Sequence, residues 1–72
     1  PAFAEAHNDL GNALRDLGRV TEAIASYRRV AALKPGFAEA HYNLGNALKE
    51  DNLLGEATAC FRRALELNPD YA

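Results

Sequence analysis

Tryptophan and methionine are absent from this sequence, cysteine occurs once, and the large aromatics are limited to three Phe and three Tyr. Such a chain cannot close an internal disulfide, and it has few bulky groups with which to fill a core. No sign of charge dominates, because eight Lys and Arg stand against ten Asp and Glu for a formal net charge of −2. The basic footprint of a nucleic-acid binder, or of a protein drawn to an acidic membrane surface, is missing. No apolar run approaches the ~20 residues of a membrane-spanning helix. The opening Pro1-Ala2-Phe3-Ala4-Glu5 has neither the basic region nor the apolar core of a secretory signal. With Cys60 alone, these absences point to a reducing, cytoplasmic setting. One thiol and two histidines make a poor metal-ligand set, so neither a metal nor another cofactor is expected.

What is present is mostly small. Of 72 residues, 49% are hydrophobic, and these are led by 15 Ala and 10 Leu. That length suits one small domain and excludes a multidomain enzyme. A core of this size contributes only ~3–5 kcal/mol, so the chain needs some further way of burying apolar surface.

The sequence repeats itself at a period of 34. Of the 38 residue pairs i and i+34, 19 are identical, and others keep their type, such as Arg15/Lys49, Asp16/Glu50, Tyr27/Phe61 and Phe37/Tyr71. The first part of each unit, Ala4 to Asp16 and Ala38 to Glu50, reads as a two-faced helix. Ala40, His41, Leu44, Gly45, Ala47 and Leu48 fall on one arc, and Glu39, Tyr42, Asn43, Asn46, Lys49 and Glu50 fall on the other. Gly18 and Asn52, which tolerate the left-handed conformation, stop these helices. A second helix follows, with Val20, Ala23, Ile24, Tyr27, Val30 and Ala31 on its apolar stripe. Thr21 is expected to cap it, with the weaker Gly55 in the other unit, and Pro35 and Pro69 close the units.

Each unit is therefore a helix-turn-helix hairpin too small to bury its own stripe, and stacked hairpins bury it jointly. The fold class is all-α: an α-solenoid of two antiparallel hairpins, four helices in one stack. Gly11 and Gly45 recur in mid-helix, where Gly costs about 1 kcal/mol relative to Ala. This predicts close helix approach against small partners such as Ala23 and Ala57.

The spacing Leu10-Gly11…Leu14, Ala23…Tyr27, Pro35, repeated as Leu44-Gly45…Leu48, Ala57…Phe61, Pro69, resembles the tetratricopeptide repeat. The resemblance covers the whole chain and implies that the four helices form a right-handed superhelical stack. It departs from the family pattern where His7 and His41 replace a large aromatic and where Leu14 and Leu48 replace a tyrosine. In the family's register the units run 4–37 and 38–71. Pro1-Ala2-Phe3 then matches the closing Pro35-Gly36-Phe37, and Asp70 would cap a helix opening at Tyr71-Ala72, so the chain reads as a fragment of a longer array. Uncapped apolar end faces imply possible homo-oligomers.

The family resemblance implies an interaction module for a protein or peptide partner, and two thin hairpins with no pocket, no Gly-rich phosphate loop and no metal-ligand spacing are expected to hold no catalytic residues. The polar stripe of the first helices would line a concave groove, and the residues expected there are Asn8, Asp9, Asn12, Arg15, Tyr42, Asn43, Asn46 and Lys49. Asn is a mediocre helix former, and a side-chain amide both donates and accepts, as an extended peptide backbone requires. Tyr42 would anchor an apolar ligand side chain or lie over a neighbouring helix. The competing reading of the stripe is a solvated face with local Asn8–Asn12 hydrogen bonds. Asn12 and Asn43 also fall where chaperone-binding relatives place the asparagines of a carboxylate clamp, but Asn8 stands at the clamp's basic position. Phe37 to Glu50 is similar to the repeats of O-linked N-acetylglucosamine transferase and of many bacterial repeat proteins. Presentation of substrates to a larger enzyme, or a self-assembling scaffold, are therefore the other readings. His7 and His41 on the apolar arc read as packing residues, Arg28, Arg29, Arg62 and Arg63 as a solvated outer face, and Cys60 as a thiol with no base beside it.

Overall fold

The computed structural model describes residues 2–70. It contains four α-helices, α1 (Ala2–Asp16), α2 (Val20–Leu33), α3 (Ala38–Glu50) and α4 (Leu54–Leu67). No strand occurs among the described residues. The expected helix opening at Tyr71-Ala72 lies outside them. Helix α1 begins at Ala2 rather than at the expected Ala4, whereas α3 begins at Ala38. Ala2 stands where the second unit has Gly36, and Gly is about 1 kcal/mol the poorer helix former.

The two hairpin turns are built alike. Gly18 (φ 81°) and Asn52 (φ 62°) adopt the left-handed conformation expected of them. Around each, two backbone bonds close the preceding helix: Gly18 to Arg15 at 3.0 Å with Arg19 to Leu14 at 2.8 Å, and Asn52 to Lys49 at 3.0 Å with Leu53 to Leu48 at 2.8 Å. This pairing satisfies carbonyls that a helix end leaves open. The residue after the left-handed one then starts the next helix, for the Arg19 and Leu53 carbonyls accept from Ala23 at 2.9 Å and Ala57 at 3.0 Å. Thr21 is accordingly not the cap of α2. Arg19 and Leu53 hold the cap positions, without a side-chain hydrogen bond, because a turn this short puts Thr21 inside the first helical turn.

Packing is sequential: α1 lies on α2, α2 on α3 and α3 on α4, while α1 meets α3 only marginally. The main core joins both hairpins. Ala23, Ile24 and Tyr27 of α2 meet Leu44, Ala47 and Leu48 of α3 and Ala57 of α4, with Leu14, Val20, Cys60 and Phe61 partly buried against them. A smaller cluster of Ala4, Val30 and Ala40, with Phe37 at its edge, lies beyond. Apolar stripes that neither hairpin covers alone are thus shared across the junction.

The glycines are close-approach sites, and the groups nearest to each are those of an aromatic ring. A Cβ on Gly11 would lie 2.6–2.9 Å from ring atoms of Tyr27, and one on Gly45 would lie 2.8–3.1 Å from the ring of Phe61. The aromatic of each second helix lies against the glycine of the first, and a missing side chain makes the room. His41 also has a defined place, with Nε2 2.9 Å from the Pro35 carbonyl oxygen. Its ring ties the start of α3 to the loop between hairpins.

Candidate functional site

Helices α1 and α3 run beside each other and carry the polar stripe expected to meet a ligand. Their side chains are largely engaged with one another. Asn8 is only 4% exposed. It donates to Glu39 Oε2 at 3.1 Å and accepts from Asn43 Nδ2 at 3.1 Å, so its amide joins the hairpins instead of facing outward. An amide buried at this junction has to be paired, and the facing helix supplies both partners. The expected local Asn8–Asn12 bond is replaced by these long-range ones. Asn12 Oδ1 accepts from the hydroxyl of Tyr27. Arg15 Nε lies 3.6 Å from Glu50 Oε1, and its Nη1 is buried with no hydrogen-bond partner among the described residues.

The remaining stripe residues are placed differently. The Tyr42 ring meets Phe61 of α4, with centroids 5.7 Å apart and planes inclined at 59°, so it lies over a neighbouring helix. Asp9 and Lys49 are exposed. Asn46 is half-buried, and no protein group bonds its amide among the described residues. No cavity opens on the described residues. Whatever binds here would lie along an open face, and the burial of Asn8 is what periodicity alone missed. Its equivalent, Tyr42, differs in size and chemistry, which was the one signal that this position is not a uniform groove residue.

Outside the stripe, Arg28 Nη2 pairs with Glu56 Oε2 at 3.0 Å between the hairpins, both half exposed. Arg63 pairs with Glu66 at 3.4 Å on its own helix. Burial raises the pKa of the Cys60 thiol, Glu56 raises it further, and Arg28 offsets part of the rise. A thiol so held stays protonated and is a poor nucleophile near neutral pH. Cys60 is therefore expected to react with iodoacetamide more slowly than the same residue in the chain unfolded by urea, at equal pH, as mass spectrometry would show. Equal rates would mean that the fold does not shield it.

Shared-core helical hairpins, glycines under aromatic rings and a polar face without a cavity define a repeat scaffold. One profile, described as TPR repeat, matches residues 11–52, more than half of the chain. A second, described as tetratricopeptide repeat, matches residues 38–71. The chain belongs to the tetratricopeptide repeat family, whose repeats mediate protein–protein interaction. Among similar solved structures is the crystal structure of MamA, with a TM-score of 0.88 and 33% identity over 93% of this chain. This chain spans 39% of the length of that one. No curated protein sequence matches it significantly. None of the described helices is long and apolar enough to cross a membrane.

Proposed function

We propose that the chain holds an extended peptide segment of a protein partner along the face of α1 and α3, with Asn46 as the principal hydrogen-bonding residue. The observation that carries this reading is the half-buried Asn46 amide, bonded through neither atom on a stripe where Asn8 is paired through both its amide atoms and Asn12 and Asn43 through one each. A peptide backbone supplies the acceptor and donor that such an amide needs. Exposed Asp9 and Lys49 flank the stripe, and Lys49, one helical turn beyond Asn46, favours an acidic ligand residue. Arg15 contributes less to that preference, since Glu50 already balances it.

The test is selection of binding peptides from a random display library, followed by titration of the best binder against the wild type and Asn46→Ala. One net hydrogen bond is worth about 1 kcal/mol, so binding should weaken about fivefold or more while the melting temperature stays unchanged. Asn12→Ala is unsuitable here, because it removes the acceptor of the Tyr27 hydroxyl and alters the core. Equal affinity for wild type and Asn46→Ala would discard the proposal.

A further inference from the structure

We propose that Glu50 is a built-in competitor of the bound peptide: it occupies the Arg15 guanidinium in the place of an acidic ligand side chain, and such a side chain displaces it on binding. Resting on the peptide-binding reading, this names the residue that sets how strongly the site prefers acidic ligands. The seam between α1 and α3 shows where the exchange takes place. Asn43 bonds Asn8 and Glu50 meets Arg15, two contacts with the same offset of 35 residues. They lie two helical turns apart, so the helices run parallel and in register. Asn12 and Asn46 lie between these contacts. The amide nitrogen of Asn12 and both amide atoms of Asn46 have no protein partner among the described residues. A peptide held at Asn46 is one turn from Glu50 on the same helix, a rise of about 6 Å, which an extended chain covers in about two residues.

Arg15 is poorly served by the contact it has. At 3.6 Å the Glu50 carboxylate is too far to accept a hydrogen bond from it, and its Nη1 is buried with no partner among the described residues. The Tyr27 hydroxyl feels the Arg15 charge, but it donates to Asn12, and no bond of normal geometry joins it to Nη1. A guanidinium nitrogen buried without an acceptor carries a cost that a ligand oxygen recovers. Glu50 loses little by leaving. Its side chain is 49% exposed, it is the last residue of α3, where the negative end of the helix disfavours a carboxylate, and Asp51 follows it. A half-exposed ion pair contributes little. A carboxylate on a peptide already held at Asn46 arrives at high local concentration and forms charge-assisted hydrogen bonds with the guanidinium. In the wild type one carboxylate replaces another, so exposed Lys49 supplies most of the acidic preference. A neutral residue 50 releases the contribution of Arg15 in full.

The probe is a random peptide display library selected in parallel against the wild type and Glu50→Gln. The best acidic binder, and a copy of it with the acid replaced by its amide, are then titrated against both proteins. The acidic peptide should bind Glu50→Gln at least about fivefold more tightly than the wild type, and the neutral copy should bind the two equally, with circular dichroism unchanged. Asp51→Asn removes the same charge from an exposed neighbour and should change binding less than about twofold, which separates displacement from general attraction. In an Arg15→Gln background the gain from Glu50→Gln should vanish, as a double-mutant cycle reads it. An equal gain in Asp51→Asn, an equal gain with the neutral peptide, or a gain that persists without Arg15 would each overturn the proposal. If Asn46→Ala weakens binding while Glu50→Gln leaves it unchanged, the peptide-binding reading stands and the displacement of Glu50 fails. If Asn46→Ala leaves binding unchanged, or the library yields no binder, the reading itself fails and the displacement with it.

Discussion

Tyr27→Ala is expected to leave most of the chain unfolded at room temperature. Tyr27 is fully buried, among the largest side chains of the core, and touches residues of both hairpins through that core. Truncating a buried aromatic to Ala typically costs about 3–5 kcal/mol. A domain of this length has about that much stability in total, so the variant should show little helical circular dichroism and no cooperative melt. Tyr27→Phe separates the ring from its hydroxyl. It keeps the cover over Gly11 and loses only the bond to Asn12, whose partly exposed oxygen can turn to water, for a cost of about 1 kcal/mol. Full wild-type cooperativity in Tyr27→Ala would show that the ring does not join the hairpins.

The same residue sets an alkaline limit. Burial raises the pKa of the Tyr27 hydroxyl, with Arg15 opposing the rise and Asp16 and Glu50 adding to it. The folded state therefore holds this proton more tightly than the unfolded chain. Its contribution is complete below the unfolded value of about 10 and is lost as the pH rises through the higher folded value. The melting temperature should fall above about pH 10 in the wild type and fall less in Tyr27→Phe, since Tyr42 and Tyr71 remain in both.

The second large effect is expected at Gly11. Gly11→Val would put a branched side chain into the space of a ring already within 3 Å of a Cβ. Forcing extra methyl groups into a packed site costs about 1–3 kcal/mol or more, and the gain in helix propensity over Gly is well under 1 kcal/mol. For a chain this short, each net kcal/mol lowers the melting temperature by about 4–8 °C. Gly45→Val should be milder. Its clash is with Phe61, a ring that is partly exposed and free of any hydrogen bond, whereas the Tyr27 ring is enclosed and held by Asn12. Thermal melts of the two variants side by side decide this. An equal or larger loss at Gly45 would show that the Phe61 ring is as fixed as the Tyr27 ring.

The contrast between these glycines shows where reading the repeat stops being enough. Identical residues at positions 11 and 45 announced close packing, but not against what. The expected partners were Ala23 and Ala57, and the atoms nearest the glycines belong to Tyr27 and Phe61, one turn further along the same helices. A helical wheel gives the face a residue occupies, and the rotation and depth of the opposing helix decide which side chain of that face arrives. Thr21 illustrates a local version of the same limit. A capping residue type was present two positions too late, because the left-handed residue and its two backbone bonds had already turned the chain.

The stripe on α1 and α3 was legible as polar and unevenly so as ligand-binding. Sequence placed Asn8, Asn12, Asn43 and Asn46 on one side of their helices, and that placement is a consequence of 100° per residue. Whether each amide is spent or available depends on what the packed helices bring within hydrogen-bonding distance. Asn8 is spent on Glu39 and Asn43, and the oxygen of Asn12 on Tyr27.

Sequence by itself determined the period, the four helices, the left-handed stops at Gly18 and Asn52 and the repeat family, because these depend on local conformation and on patterns within one unit. Tertiary structure alone decided that the rings of Tyr27 and Phe61 lie against the glycine sites and that Asn8 is an internal bridge. Those outcomes depend on the distance between helices that are not adjacent in sequence, and a repeat written twice does not state how its two copies are set against each other.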